Sequence, residues 1–353
     1  MLFSVHTFSA IKNLKYSELL TIKMRDVTKK NINKEDANKR DIRRKQNLKI
    51  MRSFDIKTIP ELDTCVLGAL ELFNSEKIPK ISIKYQRPLV VGSGNAEATA
   101  RIIFLDKDAV FASESDFENK LKLIKEIDGV VIVSASGGKH APIIAEISKK
   151  YKKNITLLTN TRNSEASEYS DKEYVFPKQK EPYTYNTSTY LGMIFGHTKE
   201  SPKKIYDYLE KIDLINFDET KKFSRYFIIL PPKFSEFKRM IQVKFIELFG
   251  RQIARDVETS EYVKHATTVI PADEIFIVFC DGNCDKTVIP VYGRNQINIP
   301  IPKDAGYGMM LAIGYYVVGK IQRNQHPWFK ENIEDYTNRA SKLFNQQIKP
   351  VVE

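Results

Sequence analysis

The stretch Gly129-Val-Val-Ile-Val-Ser-Ala-Ser-Gly-Gly-Lys-His-Ala-Pro-Ile-Ile-Ala-Glu-Ile-Ser-Lys-Lys150 decides the fold. Val130 to Val133 are four consecutive β-branched residues, which predict a strand buried on both faces of a parallel sheet. Ser134-Ala-Ser136-Gly137-Gly138 turns the chain, and apolar residues at 141, 144, 145 and 147 then fit a helix lying on that sheet. A strand that ends in a small, hydroxyl-rich, glycine-rich turn and opens a helix can bind an anion. Backbone N–H groups point outward there, and the helix dipole favours negative charge. Ser134 and Ser136 add hydroxyls and Lys139 adds a cation, so the turn predicts a phosphate-bearing ligand. The plain alternative is an ordinary strand-to-helix turn in which a serine caps the helix.

Upstream, Pro88-Leu-Val-Val-Gly92-Ser93-Gly94-Asn-Ala-Glu97 repeats the pattern of strand, turn and helix. Gly92-x-Gly94 opens a dinucleotide fingerprint, with Glu114 twenty residues past Gly94. Its third glycine position is Glu97, however, and a carboxylate in the first helical turn repels a pyrophosphate, so no nucleotide cofactor is expected. Short strands at Ala109–Ser113, Asn154–Thr159 and Glu173–Phe176 alternate with helices, among them Glu118–Ile127. This predicts a doubly wound α/β domain of five parallel strands. Ligands of such sheets bind at the carboxyl ends of the strands, where both turns fall. The hydroxyl-crowded segment Thr184 to Thr189, before a helix starting near Tyr190, reads either as a long helix cap or as a wall of a sugar site.

With 353 residues, the chain predicts two domains or one large one. No apolar run approaches the length of a membrane span. Cys65, Cys280 and Cys284 make no disulfide framework, read as small thiols, and suit a reducing cytoplasm. No His/Cys cluster has metal-ligand spacing, so no metal is expected. Residues 1–50 hold 13 Lys+Arg against 5 Asp+Glu, whereas the other 303 residues hold 43 against 39. The excess of positive charge therefore belongs to an N-terminal extension, and nucleic acid is not expected as a partner. Three readings of the extension stay open: a basic arm, a targeting peptide, or a solvated helix ahead of a working start near Met51.

A helix over Pro60–Phe73 precedes the first strand, with Leu62, Val66, Leu67, Leu70 and Phe73 at helical spacing. Past residue 200 the alternation resumes. Strands are expected at Arg225–Leu230, Glu274–Phe279, Lys286–Val291 and Asn298–Ile301, and helices at Phe234–Phe249 and Gly308–Ile321. The first turn of this half is Leu230-Pro231-Pro232-Lys233; proline offers no N–H to a phosphate, so one phosphate site per chain is expected.

The order of these turns resembles the SIS (sugar isomerase) domain family, especially the isomerase part of glucosamine-6-phosphate synthase and the phosphoglucose/phosphomannose isomerases. The family's loop reads Ser-x-Ser-Gly-x-Thr; here Ser134-Ala-Ser136-Gly137-Gly138-Lys139 places a lysine at the final threonine. Thr187-Ser188-Thr189-Tyr190 resembles the family's hydroxyl-rich stretch. The resemblance implies two SIS-type doubly wound, flavodoxin-like subdomains. The first spans 51–200, and the second, degenerate one spans 201–353. It implies a phosphate site at Gly92, Ser93, Gly94, Ser134, Ser136, Gly137, Gly138, Lys139, Thr187 and Ser188. It also maps an enolising carboxylate onto Glu247, in Phe245-Ile-Glu247-Leu-Phe-Gly250, and a ring-opening histidine onto His265, in Glu261-Tyr-Val-Lys264-His265-Ala266. Glu258, Glu261 and His140 are reserves, and Lys330 stands where related isomerases carry a tail lysine. A homodimer with the site completed between subunits is implied as well.

The chemistry fits these residue types. Aldose–ketose isomerisation needs a group near neutrality to open the ring, then a carboxylate to carry a proton between C1 and C2 through an enediol. The expected activity is a cytoplasmic phosphosugar isomerase acting without cofactor on fructose 6-phosphate or an amino-sugar phosphate. Residue 2 is Leu rather than a nucleophilic cysteine, so glutamine-dependent ammonia transfer is not expected of this chain. The alternative is a non-catalytic sugar-phosphate sensor with a basic arm, which needs the phosphate contacts but no base.

Overall fold

Two all-parallel sheets follow from the two runs of buried strands. The computed structural model describes residues 46–263, 265, 272–281 and 295–353. The N-terminal extension as far as residue 45, and the strand expected over Lys286–Val291, lie outside the described residues. Helices α1 (Gln46–Ser53) and α2 (Leu62–Ser75) come first. Then β1 (Pro88–Val91), α3 (Asn95–Ile103), β2 (Val110–Ala112), α4 (Phe117–Leu123), β3 (Gly129–Val133), α5 (His140–Lys150), β4 (Ile155–Thr159) and β5 (Lys172–Val175) make the first doubly wound half. Short β6 (Glu181–Pro182) leads into α6 (Thr187–Thr198) and α7 (Pro202–Ile212). The second half runs β7 (Arg225–Leu230), α8 (Phe237–Phe249), β8 (Ala254–Thr259), the single turn α9 (Ser260–Val263), β9 (Ile275–Asp281) and β10 (Gln296–Ile301). Helices α10 (Tyr307–Asn324) and α11 (Trp328–Leu343) and strand β11 (Val351–Val352) finish the chain.

The first sheet has the parallel order β2-β1-β3-β4-β5 and the second β10-β9-β7-β8. In the first, the order reverses between β1 and β3, so a crevice opens at their carboxyl ends. The β3 strand is buried along its whole length because its residues alternate between two apolar layers. Val130 and Ile132 pack with α4 and α5. Val131 and Val133 face a larger cluster that also takes in Tyr226, Ile228 and Leu230 of β7. Helices α2, α6, α8 and α10 fill this shared layer, and Gln46–Glu353 is one compact unit. After β7, Pro232–Phe234 is a short 3-10 turn that buries Phe234 edge-on to Tyr307, at a ring-centroid distance of 5.8 Å. An aromatic ring thus stands where the first half has its glycine loop.

Helix α4 stops at Leu123, four residues before the expected Ile127, because Ile124 is already extended. Cys65 is a buried free thiol; Cys280, expected as a thiol, is instead disulfide-bonded, and Cys284 lies outside the described residues.

Helix α10 is seated on the start of α2. Gln322 Oε1 accepts from the Leu62 N–H at 2.9 Å, and a Cβ at Gly319 would lie 2.1 Å from the Asp63 nitrogen. Backbone cannot yield as a side chain can, so Gly319→Ala is expected to cost about 1–3 kcal/mol or more. Urea unfolding measures this, and an unchanged midpoint would contradict the packing.

Candidate active site

The crevice between β1 and β3 is built from its two turns. In the β3 turn, the Ser134 hydroxyl accepts from the Gly137 N–H at 3.2 Å and the Ser136 hydroxyl from the Gly138 N–H at 3.3 Å. Gly137 has φ 64°, and a Cβ there would lie 2.1 Å from Ser164 Oγ, so only glycine fits. Lys139 also holds a positive φ of 55° immediately before α5, a conformation costly for a side-chain residue and typical of functional turns. In the other turn, Gly94 caps α3 with φ 57°.

Ser93, Ser134, Ser136 and Lys139 share one cavity of about 870 Å3. Lys180, Tyr183 and Tyr190 add to its wall, as do Lys349 and its neighbours near the end of the chain. That tail is held by β11, which pairs antiparallel with β6, and by the Tyr183 N–H, which donates to Pro350 O at 2.8 Å. The two acids at the rim are occupied locally. Asp55 accepts from the Lys57 and Thr58 N–H groups, and Glu353 lies 3.9 Å from Lys180. Three lysines therefore face a cavity large enough for a whole sugar phosphate.

Of the other residues predicted for the phosphate site, Gly92 and Gly138 line a small hollow between the β1 and β3 ends, and Gly94 faces a charged cleft toward β8. Gly137 is buried beneath the turn. Thr187 and Ser188 are buried, and neither lines the cavity. Their N–H groups donate to the buried carboxylate of Glu181, at 2.6 and 2.8 Å, and the Ser188 hydroxyl accepts from the Gln179 N–H at 3.1 Å. Glu181 thus caps α6, where the helix dipole favours an anion, while burial pushes its carboxyl upward. The stretch therefore opens α6 with its N–H groups capped by Glu181, not by its own hydroxyls.

Glu247 sits in the last turn of α8, beside a fully buried Lys244 whose ammonium donates to it at 2.6 Å. Lys244 Nζ also donates to Thr184 O and stands 5.3 Å from the centre of the Tyr315 ring. Burial raises the Glu247 carboxyl above the usual glutamate range, against the lowering by Lys244 and Arg239. Tyr183 and Tyr190, on the cavity wall, are pushed up by burial and, to a lesser extent, by the Glu247 charge. Its open side borders a second, apolar chamber of about 280 Å3.

His265 follows α9, is exposed, and lines neither space; its N–H donates to Tyr262 O at 2.9 Å. The chain does not bring Glu247 and His265 together. His140 opens α5 and is exposed at the small hollow. Glu258 is held by Lys238 at 3.2 Å, and Glu261 lines the charged cleft. Lys330 pairs with Glu61, away from the cavity, whereas Lys349 lines it. Lys244, Tyr183, Tyr190 and Lys349 escaped sequence reading.

Among the described residues, no three His, Cys, Asp or Glu are grouped to hold a metal ion, and no helix is long and apolar enough to cross a membrane.

The sheet orders, the switch-point crevice and the shared helical layer define an α/β fold of two flavodoxin-like parallel-sheet subdomains, the fold that the resemblance to SIS domains implies. Among solved structures the chain is similar to a glucosamine-6-phosphate deaminase from Thermotoga maritima, at TM-score 0.53 and 14% identity, over 80% of this chain and 96% of that one. It is also similar to the tagatose-6-phosphate ketose/aldose isomerase of Escherichia coli, at TM-score 0.50 and 11% identity, over 74% and 86%. No protein-family model matches the chain, and no curated protein matches it in sequence.

Proposed function

We propose that the chain is a phosphosugar aldose–ketose isomerase working through an enediol. The observation that carries this is one cavity of sugar-phosphate size lined by Ser93, Ser134, Ser136, Lys139, Lys180 and Lys349, with a buried, lysine-paired Glu247 on the second half of the chain. The hydroxyls and lysines hold the phosphate, which supplies binding energy and orientation remote from the reacting carbons. Glu247, partly desolvated, takes the proton from C1 or C2 and returns it to the neighbouring carbon. Lys244 fixes that carboxylate in place. Neither Lys139 nor the serines perform chemistry, so Ser134→Ala with Lys139→Ala is expected to raise KM by roughly ten- to a hundredfold, a loss of one or two charge-assisted contacts. Initial-rate kinetics read this directly, and an unchanged KM would remove the loop from the site.

Ring opening needs a second group, and His265 is too exposed and too separate to serve within its own chain. A homodimer that presents His265 to a neighbouring cavity meets that need. Mixing Glu247→Gln and His265→Ala chains tests it: partial recovery of activity in the mixture supports shared sites, and none opposes them. The deciding experiment on the function is fructose 6-phosphate in deuterated water, followed at C1 and C2 by NMR. Exchange supports the enediol. Binding without exchange, on this and related phosphosugars, would favour a sensor.

A further inference from the structure

The chamber of about 280 Å3 at the end of α8 stands apart from the phosphate cavity, with no lining residue in common. Much of its wall is aromatic, yet the few polar groups on that wall have bonding capacity left over. Thr184 is only 8% exposed, and its hydroxyl is buried with no hydrogen-bond partner. It also holds a φ of 78°, a conformation costly for a β-branched residue and frequent at ligand sites. Glu247 engages Lys244 through Oε2, and among the described residues nothing meets its Oε1. Asn332 donates one amide N–H to Trp328 O at 2.8 Å, and among the described residues its Oδ1 has no partner. Arg251 lines the chamber without an ion pair or hydrogen bond to its guanidinium among the described residues.

These groups select the chemistry of an occupant. Glu247 and Asn332 Oδ1 are acceptors and need donors. Arg251 only donates and needs an acceptor, while the Thr184 hydroxyl takes either role. An ammonium ligand offers nothing to Arg251, and a carboxylate offers nothing to Glu247 or Asn332 Oδ1. A hydroxyl both donates and accepts, so a molecule with several hydroxyls meets all four groups. The aromatic wall adds a second condition. Trp328 is held against the backbone of Gly250, where φ is 60° and a Cβ would lie 2.6 Å from the ring. A sugar ring is apolar on its C–H faces and polar at its rim, which suits an aromatic wall carrying a few placed polar groups. The size agrees as well. The chamber is about twice the ~150 Å3 of an engineered cavity that holds benzene, and a pyranose is a six-membered ring enlarged by its hydroxyls.

We propose that the chamber is a second ligand site, taking an unphosphorylated sugar in its six-membered ring form. The ring lies against Trp328, with its hydroxyls on Glu247, Asn332, Arg251 and Thr184. The phosphate cavity takes no part, so the proposal does not depend on the isomerase reading.

The test uses Trp328, the only tryptophan in the chain, as its reporter. The full chain is titrated with glucose, galactose, mannose and N-acetylglucosamine, by tryptophan emission and saturation-transfer NMR. Cyclohexanol is the apolar control, and each titration is repeated in excess inorganic phosphate. At least one sugar is expected to bind saturably at about 1 mM or tighter, to shift the emission, and to stay bound when phosphate is present. Cyclohexanol should bind roughly tenfold more weakly or worse. Arg251→Met and Asn332→Leu each remove one hydrogen-bonding group from a position that is not buried, so the fold should tolerate them. Each should weaken the sugar roughly tenfold. If none of the four sugars binds, or cyclohexanol binds as tightly, the proposal is wrong. Displacement by phosphate would place the sugar in the other cavity and overturn it too, as would affinity unchanged in both variants. None of these outcomes bears on deuterium exchange into fructose 6-phosphate, so the two readings fail separately.

Discussion

Glu247→Gln is expected to lose roughly 10²–10⁴-fold of C1/C2 deuterium exchange, the span usual for removing a positioned acid–base group. Glutamine keeps the size and an acceptor oxygen for Lys244, so phosphosugar binding should change far less than exchange. That split between kcat and KM separates a base from a merely structural residue. The pH profile adds a second criterion. The base must be ionised, and burial holds its carboxyl above 4.5, the ordinary glutamate value. Exchange should therefore fall as pH drops through that raised value, and the limb should be absent from the residual rate of the variant. An exchange rate indifferent to Glu247→Gln would move the base elsewhere, with Glu258 the next carboxylate to try.

Lys244→Met is expected to be the most damaging single substitution for stability. The ammonium is fully buried, donates to both Glu247 and Thr184 O, and lies in contact range of the Tyr315 ring. Its removal leaves a buried carboxylate unpaired, and breaking such a pair costs about 3–5 kcal/mol. The cost should depend on pH with a definite sign. Without Lys244 the folded carboxyl rises further, while the unfolded one stays near its ordinary value. Below that ordinary value both states hold the proton and the deficit is least. As pH rises toward the folded value the unfolded state releases its proton first, and stability is lost. Urea unfolding at pH 5 and pH 8 should therefore show a larger deficit at pH 8. A deficit of the same size at both would mean that Glu247 and Lys244 do not meet as ions.

How much of this was legible in the sequence depends on the range of the interactions. Val130 to Val133 and the Ser134–Lys139 turn are local signals, and both landed where expected, as β3 and its carboxyl-end loop. The flavodoxin-like order could be argued because strands with short helical connections leave few topologies. The reading of Thr187 and Ser188 as a sugar-site wall did not carry into the geometry. Their hydroxyl pattern is the same whether it faces a ligand or a helix cap, and only the fold brings Glu181 beneath them. Lys349 was invisible for the opposite reason. It stands in a short, polar, unpatterned tail, and its place on the cavity comes from Val351 and Val352 of β11 pairing with Pro182 and Glu181 of β6. Glu247 was put forward through resemblance, while Lys244 beneath it looked like any solvated helix cation until α8 turned that face inward.

The helical layer shared by the two sheets has a consequence for the chain as an evolutionary and biochemical object. A duplication that leaves each copy with its own core can be cut, swapped or lost one half at a time. Here Val131 and Ile228, from different sheets, belong to one apolar cluster, so neither half is a folding unit that could be inherited or expressed by itself. Each would turn its share of that layer to water and aggregate. The second half, with an aromatic plug in place of a phosphate loop, is the other wall of the building, and it carries Lys244 and Glu247 on α8.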